Sequence, residues 1–270
     1  MQSQPQTHHD GLQEGAPSYG AQRSICFSVV SHGQGKQVAL LLSDIARLAP
    51  KWLNWKINVV VTINVPEDEE FLELGRTLNL RVIKNPEKKG FGANHNSALT
   101  AENSEFYAVV NPDIRIQSLE INSLIAPLDD EQCLISAPIV CGSSGEVQDS
   151  ARRFPTWERL AFRFTTRNRT GDYLIGDVPV QVDWVAGMFM VMRATAWKTL
   201  RGFDERYFMY LEDADLCRRA AHLGGGTVIT PRARVIHDGQ RASRRNWRHF
   251  FWHVRSATRF LSTRRTTRMS

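Results

Sequence analysis

The chain has 270 residues, of which 42% are hydrophobic and 23% charged, a composition typical of a globular protein with one substantial core. Its sequence has no run of the roughly 18 apolar residues that a membrane-spanning helix needs. Its polar first residues lack the apolar segment of a secretory signal, and its four cysteines are too scattered for a disulfide framework or a close metal-binding pair. We therefore expect a cytoplasmic protein with free thiols.

The net charge of +6 is distributed unevenly along the chain. Residues 232–270 hold eleven arginines and one aspartate, whereas the preceding residues contain more acidic than basic side chains. A basic segment of this kind can bind nucleic acid or an anionic membrane surface. Both partners are open at this point.

The first half of the chain predicts alternating strands and helices. Residues 1–22 are polar and lack apolar periodicity, so we expect them to be disordered. Short apolar, β-branched runs predict four strands at residues 25–30, 57–63, 80–83 and 106–110. Helical spacing appears at 38–48 and again after the third strand. This order predicts an α/β fold with a doubly wound, mostly parallel sheet, whose ligands bind at the carboxyl ends of the strands.

The second half of the chain is less regular, and residues 142–182 form a loose region rich in Gly, Arg and aromatic side chains. Predicted helices cover residues 119–128 and 194–200, and predicted strands cover 134–140 and 228–229. Residues 184–192 predict a buried strand that is entered through a turn of small residues, and 234–237 form another apolar run. We expect one domain over residues 23–240, followed by a basic segment over 241–270.

A glycine loop follows the third predicted strand, in the segment KNPEKKGFGANHNSAL at residues 84–99. Gly90 and Gly92 permit a tight backbone, and the helix that follows can offer N–H groups and Asn side chains to a phosphate or nucleoside. An ordinary turn also explains the two glycines. The loop alone is therefore a weak indication of a binding site.

Other polar residues at predicted strand ends are candidate ligands for a metal ion or a diphosphate. Asp113 suits Mg²⁺ or Mn²⁺, because such an ion on a diphosphate needs only one or two protein carboxylates, although Asn-Pro-Asp is also a common turn. Arg152 and Arg153 can bind a diphosphate or simply be solvated. His237 ends an apolar run, where a histidine is usually structural but can also bind a Mn²⁺-like ion.

The segment FDERYFMYLEDADLCRR at residues 203–219 places three carboxylates, Glu212, Asp213 and Asp215, at the start of a predicted helix behind an aromatic run. In one interpretation they complement the helix dipole, and Asp215 pairs with Arg218 or Arg219. In the other, the acidic turn faces a cleft, where one carboxylate acts as a general base. The opposite face of this helix would then anchor on the core through Leu216, Ala220 and Leu223.

An amphipathic helix is predicted over residues 246–261. Its apolar residues recur at helical spacing, at Trp247, Phe250, Phe251, Val254, Ala257 and Leu261. Arginines occupy its other faces. Such a helix can lie on an anionic membrane, or its apolar side can pack on the preceding domain.

Five segments make the chain resemble a family-2 glycosyltransferase of the bacterial rhamnosyltransferase-like branch, which has a GT-A (Rossmann-like) fold. They are KNPEKKGFGANHNSAL, VVNPDIRI, RRFPT, WVAGMFMVMRATAWKTLRGFDERYFMYLEDADLCRR and VIHDG, within roughly residues 24–260. The resemblance implies an inverting, metal-dependent transfer of rhamnose or a similar hexose from a dTDP- or UDP-sugar, with Mg²⁺ or Mn²⁺. It also implies a saccharide acceptor, lipid-linked in many relatives, in O-antigen- or capsule-type polysaccharide synthesis at the inner face of the plasma membrane.

The resemblance implies roles for individual residues. Asp113 and His237 match metal-binding positions, and Asp213 of the Glu212–Asp213 pair matches the catalytic base. The residues predicted to bind the nucleotide sugar, besides Asp113, are Asn64, Asn85, Gly92, Asn96, Asn111, Arg153, Trp184 and Gly187.

One departure from the family's pattern concerns the nucleoside. Relatives usually end the second strand with an aspartate, whereas this chain offers only Asn64 or Glu67 there. The missing carboxylate favours an alternative function, a non-catalytic protein that binds membrane or nucleic acid through its basic segment. The joint presence of Asp113, Asp213 and His237 favours the enzyme, so we do not expect nucleic acid as the partner.

Overall fold

A nine-stranded sheet runs through the centre of the protein, in a computed structural model that describes residues 22–166, 171–237 and 247–263. The strands are β1 (Arg23–Ser31), β2 (Trp55–Ile63), β3 (Asn79–Lys84), β4 (Phe106–Val110), β5 (Ile114–Arg115), β6 (Cys133–Cys141), β7 (Ala151–Arg152), β8 (Val180–Val182), β9 (Trp184–Val185), β10 (Phe189–Arg193) and β11 (Gly226–His237). The helices are α1 (Gly35–Leu48), α2 (Phe91–Thr100), α3 (Ile121–Ile125), α4 (Trp157–Thr166), α5 (Ala194–Leu200), α6 (Glu212–His222) and α7 (Trp247–Thr263). The pair β7–β9 forms a second, small sheet.

The main sheet has the strand order β3-β2-β1-β4-β10-β6-β11-β5, and β8 pairs with β11. Strands β1 to β4 are parallel, as the buried, β-branched character of the first strands predicted. Beyond them the sheet is mixed, because β10 runs antiparallel to both β4 and β6, and β5 and β8 run antiparallel to β11. The α/β prediction is confirmed, and its parallel part is the half that carries the first polar loops.

Helices cover both faces of the sheet and create two apolar cores. One core lies between the sheet and helices α1 and α3. The other lies between the sheet and helices α2, α5 and α6, and includes the end of α7. The four cysteines are all free and buried, as predicted. The molecule therefore has three layers, with the sheet in the middle.

The strand predicted over residues 184–192 follows the expected turn of small residues and begins only at Phe189, with a separate short strand before the turn. The segment divides into β9, which pairs with β7, and β10, which joins the main sheet. Residues 186–188 form a turn between them, where the backbone N–H of Gly187 donates to Asp213 rather than to a neighbouring strand. Periodicity could not reveal the separate strand β9, because the residues on both sides of the turn are apolar.

Three smaller predictions also need correction. Residues 228–229 and 234–237 belong to one strand, β11, with a register shift between Thr230 and Arg234. The helix expected over 119–128 is the short α3 followed by a 3₁₀ turn that contains Pro127. Leu223 is 59% exposed and does not anchor α6, because the helix ends at His222 and the chain turns away.

Helix α7 forms within the basic C-terminal segment and packs on the domain with one side only. Phe260 and Leu261 are buried in the core, whereas Trp247, Phe251 and Val254 are exposed. The disorder predicted for residues 1–22 concerns residues that lie, apart from residue 22, outside the described part of the chain. Among the described helices, none is long and apolar enough to cross a membrane.

Candidate active site

A cavity of about 150 Å³ opens at the carboxyl ends of β1, β2 and β4, the edge of the sheet where polar loops predicted a ligand. Its polar lining includes His32 after β1, Asn64 after β2, and Asn111 and Asp113 after β4. Lys88, from the loop before α2, also lines it. Three of the predicted nucleotide-sugar residues therefore meet in one cavity.

Asn64 fixes the glycine loop that borders this cavity. Its Oδ1 accepts hydrogen bonds from the backbone N–H of Lys89 and the side-chain amide of Asn85, both at 2.9 Å. Its Nδ2 donates to the carbonyl oxygen of Lys89 at 3.0 Å. Asn85 also donates to Asn94 on α2. The amide at position 64 thus both donates to and accepts from one backbone segment, which a carboxylate could not do.

Gly92 and Asn96 face Phe203, which lies before the acidic helix. The side chain of Asn96 donates to the carbonyl oxygen of Phe203 and accepts its backbone N–H, each at 2.9 Å. A Cβ on Gly92 would lie 2.5 Å from the Cβ of Phe203, so only glycine permits this approach. Both positions tie α2 to the segment that leads to the acidic helix, and their predicted role in nucleotide binding stays a prediction.

Asp113 and His237 lie together at the cavity rim, as their predicted shared role requires. The Nε2 of His237 is 3.1 Å from Oδ2 of Asp113, and the other oxygen, Oδ1, is buried without a hydrogen-bond partner. The Nδ1 of His237 lies 2.9 Å from Oε1 of Gln148, which selects the tautomer with Nε2 free to bind a cation. The described residues contain no cluster of three or more His, Cys, Asp or Glu around a possible ion. This donor set fits an ion that takes its remaining ligands from a diphosphate and water.

The turn over residues 186–188 joins the metal-side loop to the acidic helix. The backbone N–H of Gly187 donates to Oδ2 of Asp213 at 2.8 Å, and the carbonyl oxygen of Met188 accepts the N–H of Asn111 at 2.9 Å. A Cβ on Gly187 would lie 3.3 Å from the ring of Phe91, a tight contact. The turn therefore places Asp213 beside the strand end that carries Asn111.

The adjacent carboxylates Glu212 and Asp213 have different surroundings. Oδ2 and Oδ1 of Asp213 accept backbone hydrogen bonds, from Gly187 and from Ala214 in its own helix. Burial raises the pKa of Asp213, and these two bonds oppose the rise. Glu212 is 5% exposed, and its Oε2 has no hydrogen-bond partner. Burial and the neighbouring Asp213 raise the pKa of Glu212 well above its ordinary value, so Asp213 is the member that is stabilised as a carboxylate.

The backbone before this pair is strained. Tyr210 and Leu211 have φ values of 72° and 64°, which place two consecutive non-glycine residues in the left-handed region. Each such residue costs roughly 1–2 kcal/mol. Strain of this kind persists only where surrounding contacts hold it, and here it sets the direction in which Glu212 and Asp213 leave the turn.

Of the two predicted arginines, Arg152 is the one whose charge reaches the carboxylate pair. It lowers the pKa of Asp213, against the effect of burial. Its guanidinium lies 3.2 Å from Asp149 and 5.3 Å from the ring centroid of Trp184. The side chain of Arg153 is exposed, and its carbonyl oxygen accepts the indole N–H of Trp184. The sequence named Arg153 as a ligand, and the RR motif alone could not distinguish the two residues.

The ion-pair interpretation of the acidic turn is confirmed for one of its three carboxylates, and the general-base interpretation stays a prediction. Asp215 pairs with Arg218 at 3.0 Å and with Arg219 at 2.8 Å, as predicted from helical spacing. Glu212 and Asp213 lie on the other side of the turn, toward Gly187. Ion pairing within the helix thus accounts for Asp215 but not for Glu212 or Asp213.

A larger cavity, of about 290 Å³, lies between α6 and the end of α7. Three of its arginines, Arg206, Arg218 and Arg219, are paired with Asp204 or Asp215. These three guanidinium groups are therefore already engaged by the protein's own two carboxylates. The smaller cavity is the better candidate for the substrate site, because three of the predicted ligands, Asn64, Asn111 and Asp113, line it.

The residues 23–269 match the family model described as "Glycosyltransferase like family 2". The chain therefore belongs to the family-2 glycosyltransferases, and the resemblance seen in the sequence is confirmed. The chain is 29% identical over 192 residues to the rhamnosyltransferase WbbL of Escherichia coli (strain K12). This alignment covers 65% of this chain and 71% of WbbL. The chain is 30% identical over 175 residues to the N-acetylglucosaminyl-diphospho-decaprenol L-rhamnosyltransferase of Mycobacterium tuberculosis (strain ATCC 25618 / H37Rv), covering 59% of this chain and 56% of that protein.

Solved structures share the fold. The structure of GalNAc-T7 with UDP, GalNAc and Mn²⁺ aligns with a TM-score of 0.64 at 13% identity, covering 83% of this chain and 44% of that chain. The TarS 1–349 structure from S. aureus in complex with UDP aligns with a TM-score of 0.56 at 16% identity, covering 88% of this chain and 65% of that one. The GT-A fold predicted from the sequence is thereby confirmed.

Proposed function

We propose that the protein is an inverting, metal-dependent glycosyltransferase that moves rhamnose or a similar hexose from a nucleotide-diphosphate sugar to a saccharide acceptor. The observation that carries the proposal is the turn at Gly187, which bonds to Asp213 and, through the carbonyl of Met188, to Asn111, two residues before Asp113. One carboxylate is held by two backbone N–H groups, and the other lies at the cavity rim beside His237. This arrangement separates a base from a diphosphate-binding position, as displacement at an anomeric carbon requires.

In the proposed reaction, Asp213 removes the proton of the acceptor hydroxyl. The acceptor oxygen forms a bond to the anomeric carbon as the bond from that carbon to the diphosphate breaks, which inverts the configuration. The N–H of Gly187 and the N–H of Ala214 hold the Asp213 carboxylate in place. Arg152 supplies a positive charge that favours the ionised form of this carboxylate.

Asp113 and His237 are the residues proposed to hold Mg²⁺ or Mn²⁺. When bound, the ion offsets the negative charge that develops on the departing diphosphate. Carboxylate oxygen suits both ions, whereas an imidazole nitrogen is a poorer ligand for the hard Mg²⁺ than for Mn²⁺. The Mn²⁺ in the GalNAc-T7 structure supports a divalent cation in this fold without selecting between the two.

The nucleoside and the acceptor are proposed from chemistry and from the relatives. A dTDP- or UDP-sugar suits a cavity bordered by Asn64, His32 and the loop before α2. The mycobacterial relative's name describes a lipid-diphosphate acceptor, which supports a lipid-linked saccharide here and a role in O-antigen- or capsule-type polysaccharide synthesis.

We also propose that the protein binds the inner face of the plasma membrane through the outer side of α7. That side exposes Trp247, Phe250, Phe251 and Val254. The helix lies in a segment in which residues 232–270 carry eleven arginines. Exposed aromatic residues and a basic segment together suit an anionic lipid surface.

The test of the catalytic proposal is release of nucleoside diphosphate from dTDP-, UDP- and GDP-sugars, with Mn²⁺ or Mg²⁺ and a membrane extract as acceptor. We expect turnover of one donor class that stops when the metal is chelated and in Asp213→Asn. Asp68→Asn, in the loop after β2, is the matched control and should leave turnover unchanged. If no donor reacts with folded protein and active extract, the non-catalytic alternative is favoured instead.

A further inference from the structure

Helix α7 contacts the strained turn that precedes the carboxylate pair. The ring of His253 stacks on Tyr210, with a centroid distance of 3.5 Å and an interplanar angle of 10°. The Nδ1 of His249 lies 2.6 Å from the hydroxyl of Tyr210. Ser256 donates to the carbonyl oxygen of Met209 at 2.8 Å. Three residues of one helix thus engage two consecutive residues of the turn.

The same turn borders the donor cavity. Phe208 and Met209 line the cavity, and the carbonyl oxygen of Phe208 accepts the N–H of Phe91 at the start of α2 at 2.9 Å. The ring of Phe208 also lies against Trp252 of α7, at a centroid distance of 5.0 Å. The segment 208–211 is therefore held between α2 and α7, with the cavity on one side and the carboxylate pair at its end.

The left-handed conformation of Tyr210 and Leu211 needs such support. Neither residue is a glycine, so an unsupported turn would relax toward ordinary φ values. Relaxation would rotate the first residues of α6, because Leu211 is the last residue before Glu212. The stacking of His253 on Tyr210 is the closest ring contact in this support.

We propose that α7 is a positioning element of the active site, in which His253 and His249 hold the Tyr210–Leu211 turn so that Asp213 faces the reacting hydroxyl. His253 does not touch the substrate in this role. The proposal rests on the proposed function for its kinetic consequence. Its structural consequence, an ordered turn over residues 208–213, is independent of catalysis.

The kinetic experiment compares His253→Ala with His253→Phe, using the donor that the wild-type protein turns over. We expect kcat to fall about tenfold or more in His253→Ala, since misplacing a reacting group by about 1 Å can cost on the order of 100-fold. The KM for the donor should stay near the wild-type value, because the cavity residues at β2 and β4 are unchanged. His253→Phe retains a ring that can stack on Tyr210 and should recover most of kcat.

Two control variants separate this effect from loss of folding and from surface changes. Leu48→Ala removes a buried side chain from the opposite core and should lower stability without lowering kcat. Thr258→Ala changes another exposed position of α7 and should leave kcat unchanged. A kcat for His253→Ala within about twofold of wild type would overturn the proposal.

Hydrogen exchange measures the turn without requiring activity. We expect the amides of residues 208–213 to exchange about tenfold faster in His253→Ala than in wild type, and at the wild-type rate in Leu48→Ala at matched fractions folded. Unchanged exchange in His253→Ala would refute the positioning role. If wild type shows no turnover but exchange responds as expected, the proposed function fails and the support of the turn by α7 stands.

Discussion

At the scale of single residues, backbone hydrogen bonds give two adjacent carboxylates of the site different surroundings. Asp213 receives N–H groups from Gly187 and Ala214, whereas Glu212 is buried with an unpartnered Oε2. Because the pair is coupled, protons leave it in steps that belong to both groups. The structure favours ionisation of Asp213 first, so activity should be lost as pH falls and the proposed base becomes protonated.

The burial of Glu212 predicts a pH-dependent stability effect. Its pKa is raised above the ordinary value of 4.5, so the folded state binds its proton more tightly than the unfolded state does. The stability from this proton is fully present below pH 4.5 and is lost as pH rises through the raised pKa. Glu212→Gln should therefore match wild type near pH 4 and become more stable than wild type toward pH 8, measured by urea unfolding. The exposed Glu87→Gln should show no such trend, and a constant difference for Glu212→Gln would contradict the assignment.

A second residue-scale prediction concerns Gln148, which no sequence pattern singled out. Its Oε1 accepts from Nδ1 of His237 and leaves Nε2 available to a cation. Gln148→Leu should weaken Mn²⁺ binding about 10–100-fold, as loss of a partner behind a metal ligand typically does. Calorimetric titration of Mn²⁺ in the presence of the nucleoside diphosphate measures this. Gln117→Leu, outside the cavity, is the control, and equal Mn²⁺ affinity in wild type and Gln148→Leu would argue against His237 as a ligand.

At the scale of elements, the loop before α2 depends on the amide of Asn64. Asn64 accepts the N–H of Lys89 and donates to its carbonyl oxygen. The residue is buried, with 5% of its surface exposed. The amide of Asn64 therefore has a structural role, which is to hold the backbone of the loop at Lys89.

This role predicts that an aspartate at position 64 would make the folded protein less stable. Asn64→Asp loses the donor and places a carboxylate oxygen beside the carbonyl of Lys89, so we expect a loss of about 1–3 kcal/mol in the free energy of unfolding. Thermal and urea unfolding measure the change. Asn103→Asp, at an exposed position in the loop before β4, should change stability little. An Asn64→Asp protein as stable as wild type would show that the loop does not need the amide.

At the scale of the whole molecule, α7 has two sides with different contacts. Its inner side packs on the turn that leads to Asp213, and its outer side exposes aromatic residues. Phe260 and Leu261, in the segment expected to be a tail, lie in the same apolar core as residues of α6. The same helix therefore contacts the turn before Asp213 on one side and presents the proposed membrane-binding surface on the other.

The membrane proposal predicts that the outer side of α7 contributes to vesicle binding. Phe251→Ser should weaken binding to vesicles of mixed phosphatidylglycerol and phosphatidylcholine about tenfold, because burying a Phe side chain contributes roughly 1.5–3 kcal/mol. Sedimentation with vesicles measures this, and binding should also weaken as salt concentration rises. Leu53→Ser, also exposed but on the side of the opposite core, is the control. Equal loss in both variants, or none, would exclude this surface as the membrane contact.

Most of the architecture followed from the sequence, because its signals are local. Apolar β-branched runs predicted β1 to β4 to within two residues at each end, and helical spacing predicted α1, α5 and α6. The strand-end position of the first polar loops also predicted that these loops would share one edge of the sheet, and His32, Asn64 and Asn111 line one cavity there. Parallel strand ends meet at one edge whatever the details of packing, which is why this prediction succeeded.

What only the tertiary structure decided depends on contacts between distant segments. The pairing of β9 with β7, the exposure of Leu223 and the difference between Arg152 and Arg153 all arise from neighbours far away in the chain. The same holds for the contacts of α7 with Tyr210, since helical spacing is equally compatible with a helix on a membrane and a helix on a domain. The sequence alone determined the fold, the family and the residue types of the site. The packing of α2, α6 and α7 around one turn determined how Asp213 is held, because burial and hydrogen bonding at that position exist only in the assembled molecule.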